Sequence, residues 1–418
     1  MPLCRSVGRA AALGLAGIVL AAGTCAGARA EPDEMPGQQF VVRPADLPRP
    51  YTSPSVANPP RFVARPSGAS LRVPPGFAAN VFAENLGHPR WLEVAPNGDV
   101  FLAESALGKI TLLRDAKGSG RAETITTFAE GFDRPHGMAF RPGWFYVADT
   151  TRVWRIPYQP GDTRARAAAE PVTQEGAIGP GSGHWTRNIV FAPDGTKFFL
   201  AVGSRGNLDV EPDTRAAILE FAADGSGRRV VAGGLRNPVG IALRPDTSEL
   251  WAVVNERDGM GDGLVPDYLT RIVEGAFYGW PYAYIGPNPQ PGYAERRPDL
   301  VSRARIPDLL FQSHSAPLGL VFYTGRSFPP EYRGDAFVAF HGSWNAAKPT
   351  GYKIVRVPFG DGKLAGHYEN FATGFWYEGA DTARVWGRPV GLAIAADGAL
   401  LIADDAGNSV WRVAWRGR

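Results

Sequence analysis

From Gly76 onward the apolar positions of the chain fall into one repeated phrase. A short apolar run leads into a turn built from Pro, Asp, Asn or Gly, and a second run rich in Val, Phe, Leu and Trp follows. The six copies are WLEVAPNGDVFLAES (91–105), GMAFRPGWFYVADT (137–150), NIVFAPDGTKFFLAVGS (188–204), VGIALRPDTSELWAVVNE (239–256), LGLVFYTG…DAFVAFHGS (318–343) and VGLAIAADGALLIADD (390–405). Most are trailed by a further strand with a basic or polar start, as in GKITLLR, TRVWRIPY, YKIVRVPF and NSVWRVAW. Turns such as Asn97-Gly98, Asp194-Gly195 and Asp397-Gly398 tolerate positive φ and suit tight hairpins. Strand–turn–strand units recurring at intervals of roughly 45–80 residues predict an all-β, six-bladed β-propeller over residues 76–418. A β-sandwich has no reason to repeat one phrase six times. The longest interval, from Arg257 to Pro317, holds an insertion and is a natural place for a functional loop.

The chain before Gly76 follows no such period. Residues 31–75 are crowded with proline and read as an extended leader that lies on the domain surface or stays loose. In residues 1–30, Arg5 and Arg9 precede an apolar, charge-free run from Ala10 to Ala28, and Ala28-Arg29-Ala30 ends it with small residues. This is the pattern of a cleaved secretory signal peptide and predicts a periplasmic or secreted protein; a membrane anchor or a lipoprotein start at Cys25 are the alternatives. Cleavage after Ala30 removes Cys4 and Cys25, which leaves no disulfide and no Cys-x-x-Cys-His haem attachment. It also removes three of the 44 basic residues and none of the 41 acidic ones, so the charges balance and nothing suggests nucleic acid. With 44% hydrophobic and 20% charged residues the chain can bury a sizeable core, and 51 glycines and 37 prolines favour many turns over long helices.

In a propeller the entries to the innermost strands converge at one channel mouth. The polar residues just upstream of the phrases are His88 and Arg90, Arg134 and His136, His184 and Arg187, Arg236 and Asn237, and Arg388. Together they form an anion site with a possible base inside it. Arg134 and Arg187 could equally bond the carbonyls of neighbouring blades, and His88 and His136 read as structural. His184 stands apart: it follows Gly181-Ser182-Gly183, and a neutral imidazole there accepts a proton at neutral pH without tuning.

GSGHWTRNIVFAPDG, GLRNPVGIAL, FYGWP and FVAFHGSWNAAKPTGYKIVRVPF, with the earlier FLAESALGKITLL, resemble the soluble quinoprotein glucose/sorbosone dehydrogenases that use pyrroloquinoline quinone. The resemblance covers roughly residues 71–416 and is nearest to the sorbosone branch. It implies an oxidoreductase in which His184 removes a sugar hydroxyl proton while hydride passes from the same carbon to the quinone. It also implies that Arg236, Asn237, Lys348 and Arg388 hold the cofactor, whose three carboxylates suit guanidinium forks. A calcium ion is implied at Asp258 and Gly259, with Tyr278 helping through water. On the residues alone, 255–259 is equally a plain turn and Tyr278 a plausible core aromatic. Two departures stand out. Gly183 occupies the position of an Asp that orients the base in the glucose enzymes, and their supporting glutamine has no counterpart near 132–137. Electrons would pass to a separate acceptor, a cytochrome or a quinone. The competing readings are a calcium-dependent six-bladed lactonase and a non-catalytic propeller that binds a glycan or a protein.

Overall fold

The computed structural model describes residues 35–417; the signal-peptide reading of residues 1–30 falls outside them. The protein is all-β. Among the described residues, helix is confined to the six-residue Pro298–Arg303 and a few 3-10 turns. Each sequence phrase opens one antiparallel sheet of four or five strands. Their first strands, in chain order, are Trp91–Val94, Met138–Arg141, Arg187–Phe191, Asn237–Leu243, Pro317–Phe322 and Pro389–Ile394. We number the sheets one to six in that order.

The first strands of successive sheets touch, and that of sheet six returns to that of sheet one. The glycine that recurs near the head of the phrase permits this approach. A Cβ on Gly319 would sit 2.2 Å from the Val390 carbonyl oxygen, and one on Gly391 would sit 2.6 Å from that of Arg90. The ring encloses a channel lined by residues of all six first strands, including Leu92, Met138, Ile189, Ile241, Leu320 and Leu392. Outside it, aromatic clusters weld neighbouring sheets, as where Phe101 of sheet one packs at 4.9 Å on Phe145 of sheet two. Burying such rings supplies the main driving force for assembly.

Sheet six takes its outermost strand from the start of the domain. Phe77–Ala83 runs antiparallel to Ser409–Trp415, from Phe77 opposite Trp415 to Ala83 opposite Val410. The leader is docked over its described part. Gln39–Phe40 adds an edge strand to sheet five, with Phe40 stacked on Tyr368 at 5.1 Å, and Arg61–Phe62 pairs in parallel with Arg384–Val385. Between them, Asn58 donates to the carbonyls of Ala346 (3.0 Å) and Asp381 (2.7 Å). The 257–317 insertion is tied down by Arg257, fully buried, which donates to the Gln290 amide oxygen (2.9 Å) and the Ala283 carbonyl (2.7 Å).

Candidate active site at the mouth of the ring

Second strands end and first strands begin at one mouth, and a cavity of about 750 Å³ opens there. His184, Arg236, Asn237, Asp258 and Arg388 all line it. These five of the residues singled out in the sequence converge although they come from sheets three, four and six and from the loop after sheet four's second strand.

His184 has a defined tautomer. Its Nδ1 lies 2.9 Å from both the carbonyl oxygen and the Oγ of Ser204. The Ser204 hydroxyl already donates to the Gly206 carbonyl at 2.7 Å, so both contacts to Nδ1 are acceptors. The ring proton therefore sits on Nδ1, and Nε2 keeps its lone pair. Burial first, and the Arg236 guanidinium second, lower the pKa to about 4, so the ring is neutral near pH 7.

The departure at Gly183 has a steric cause. Its φ is +75°, and a Cβ there would lie 2.2 Å from the Arg205 carbonyl oxygen, so no carboxylate side chain fits. Ser204 does the orienting instead. Gly203 matters for the same reason: a Cβ would stand 2.4 Å from Asn237 Oδ1 and 2.6 Å from His184 Cβ.

Arg236 is held rigid by the Asn207 carbonyl (3.1 Å) and side-chain oxygen (2.9 Å) and by the Glu256 carbonyl (2.8 Å). Arg388 donates to the carbonyls of His341 (3.0 Å) and Gly342 (3.1 Å). Burial lowers the pKa of both guanidiniums. Asp258 accepts from Asn345 at 2.6 Å, with Arg236 at 3.6 Å and His314 at 3.5 Å. Burial works against its charge, but His314 and Arg236 outweigh it and hold the carboxyl below its ordinary range.

Three sequence expectations are not brought into the cavity. Lys348 stands on the surface in an ion pair with Asp381 at 2.6 Å, because its loop turns outward towards the leader. Tyr278 is buried in the core, where its hydroxyl donates to the Arg271 carbonyl at 2.5 Å and accepts from the Val273 N–H at 3.2 Å. Gly259 takes φ +95° in the turn after Asp258, off the cavity wall, while the Asp258 carbonyl accepts from Asn207 at 2.8 Å. Arg187 is fully buried and bonds the carbonyls of His184 (3.0 Å), Thr186 (2.9 Å) and Pro180 (3.1 Å), so it braces its own loop and not a neighbouring blade. His136 is packed 4.9 Å from Trp91 and 5.7 Å from Trp185, outside the cavity.

The cavity also contains residues that sequence reasoning passed over. His314 precedes the first strand of sheet five, so the rule applied to the other sheets would have found it. His341 and Asp405 end the second strands of sheets five and six, positions read only as part of the repeating phrase. Asp267 is enclosed, accepts the N–H groups of Glu256 and Ala316 at 2.8 Å, and is pushed up to about 7 by burial. Phe62 of the leader and Trp344, both exposed, form an aromatic rim.

Residues 71–265 and 299–416 match the TrAA12-like family. The chain belongs to that family. A Borreliella burgdorferi relative, called only an uncharacterized protein, is 29% identical over 82% of this chain and 91% of its own length. The pyrroloquinoline quinone-dependent pyranose dehydrogenase of Coprinopsis cinerea is 26% identical over 82% of this chain, which spans about half of that protein (54%). The holo form of that pyranose dehydrogenase's PQQ domain superposes with a TM-score of 0.69 at 22% identity, covering 86% of this chain and all of the domain. At that identity the likeness establishes a shared fold.

The residues present fit a flat, polyanionic cofactor. Arg90, Arg236 and Arg388 present three guanidiniums, and Asn237 Oδ1, Arg90 Nε and His314 Nε2 are buried around the cavity without a hydrogen-bond partner. Of the acidic groups alongside, Glu256 is paired with Arg257 and Asp405 with Arg90. The backbone carbonyls expected to hold calcium are not presented to the cavity: that of Asp258 accepts from Asn207 at 2.8 Å and Gly259 lies off the cavity wall, and among the described residues no three His, Cys, Asp or Glu side chains converge.

Proposed function

We propose that this TrAA12-like chain is a six-bladed β-propeller quinoprotein, periplasmic or secreted, that oxidises a sugar or related aldose. Arg236, Asn237 and Arg388 hold pyrroloquinoline quinone, and His184 is the base for the substrate hydroxyl. One observation carries the reading: a neutral imidazole with a bare Nε2 shares a single cavity with two rigid guanidiniums and an unpaired amide oxygen.

The quinone, when bound, supplies the two-electron oxidant. The protein's part is to anchor its carboxylates through Arg236 and Arg388, to keep Asn237 available for a hydrogen bond, and to present Nε2 to the hydroxyl proton. Asp258, ionised and fixed by Asn345, is placed to accept a hydrogen bond from a further sugar hydroxyl. Phe62 and Trp344 offer apolar faces at the entrance. No step here is routed through calcium, and among the described residues no cluster of carboxylates favours the calcium lactonase. The electrons leave to a separate acceptor, a cytochrome or a quinone, and the sorbosone-type aldehydes belong in the substrate panel.

The test mixes purified apo-protein with pyrroloquinoline quinone, with and without calcium, and follows dye reduction across a panel of sugars. Sugar-dependent reduction that needs the quinone is expected. His184→Ala should lower turnover about 10²–10⁴-fold while quinone binding, read by absorbance, stays within a few-fold. Turnover that survives His184→Ala removes the base assignment.

A further inference from the structure

His184 has a neighbour of a different kind in the same cavity. His341 follows the second strand of sheet five, Ala336–Phe340, and its Nε2 lies 3.0 and 3.1 Å from the two oxygens of Asp405. A carboxylate only accepts, so Nε2 carries the proton and Nδ1 is left bare, with no hydrogen-bond partner among the described residues. Asp405 is buried and also takes Arg90 at 2.6 Å. On its other side stands His88, its side chain 47% exposed, with Nε2 3.6 Å from the same carboxylate. A buried carboxylate thus sits between two imidazoles of one cavity, that of His341 15% exposed and that of His88 47% exposed.

The contrast with His184 is chemical. Its Nδ1–H ends on the Ser204 carbonyl and on a hydroxyl that itself donates to the Gly206 carbonyl, and neither carbonyl can take up a proton and pass it on. Asp405 can. Oxidising CH–OH to C=O breaks the O–H and C–H bonds and yields two electrons and two protons. The electrons pass to a quinone-class oxidant and on to the separate acceptor, and both protons must leave the buried wall of the cavity for water.

We propose that His341, Asp405 and His88 form the proton exit of this cavity. A proton binds His341 Nδ1, the Nε2 proton passes to Asp405, and His88 carries it to solvent; a turn of the His341 ring then returns the remaining proton to the side of Asp405 and restores the starting tautomer. Burial first, with Arg388 and Arg90 beside it, disfavours an imidazolium at His341, while Asp405 favours one. The inference rests on the dehydrogenase reading for its chemistry, although the tautomers stand independently of it.

Two measurements test it. In the full-length apo-protein labelled with ¹⁵N-histidine, NMR should find His341 protonated at Nε2 and His184 at Nδ1, with signals assigned by His341→Asn and His184→Asn. In the quinone-loaded enzyme, His341→Asn should lose on the order of 10²-fold in kcat with little change in KM, and added imidazole should restore part of it. His88→Gln, at a half-exposed position, should slow turnover in dilute buffer and recover as imidazole is added, with a thermal melt beside it to show that the fold is kept. A packing role would show no such rescue. A His341 proton on Nδ1 overturns the exit, as does a His341→Asn enzyme within about twofold of the parent. If the parent is inert on every sugar while the tautomers stand, the dehydrogenase reading falls and takes the exit with it. An active parent beside an unaffected His341→Asn removes the exit alone.

Discussion

Gly203 closes the distance between His184 and Asn237, and that contact decides whether base and cofactor anchor can occupy one wall. Gly203→Ala introduces a carbon 2.4 Å from Asn237 Oδ1 and 2.6 Å from His184 Cβ, so both side chains must move. Turnover should fall at least about 10-fold, since sub-ångström displacement of a base is enough to misalign it. The sheet itself is untouched, so the melting temperature should shift little. Steady-state kinetics beside a thermal melt separate the two outcomes. At this scale the sequence was informative about His184, Arg236, Asn237 and Arg388, because each immediately precedes or begins a first strand. Lys348 and Tyr278 were misplaced because motif position says nothing of side-chain direction. The lysine turned to a surface partner and the tyrosine to a backbone carbonyl.

On the element scale, the first strand of sheet one carries a penalty that pH exposes. Glu93, partly exposed by surface area, lines the channel, and its loss of surrounding water there raises its pKa to about 8. The unfolded chain releases that proton near the ordinary 4.5, whereas the folded protein retains it until about 8. Between those values the folded state binds more protons, so its stability falls as pH rises through the window and levels off above it. Glu93→Gln removes the titration. The variant should gain on the order of 2 kcal/mol over the parent at pH 9 and little or nothing at pH 4.5, read by urea unfolding at both. The repeated phrase predicted this strand, but not that its third residue would face a channel, because facing depends on the five other strands around it.

Across the whole molecule, the ring closes where Phe77–Ala83 meets Ser409–Trp415. Deleting 409–418 strips that pairing and uncovers Leu400 and Ile402, both fully buried. The truncated chain should show no cooperative melt by calorimetry, since opening one sheet exposes apolar surface on its neighbours as well. An unchanged melt would mean that the closure is dispensable. The six phrases with most of the strands that trail them, and the candidate imidazole, were determined by the sequence alone, because hydrophobic period and turn chemistry are local properties of the chain. Tertiary structure alone decided that the leader docks on the rim, that Ser204 replaces a missing carboxylate, and that His341, Asp405 and His88 line up. His184 and Ser204 flank one hairpin of sheet three, His341 and Asp405 stand on adjacent sheets, and only closure of the ring brings His88 beside Asp405.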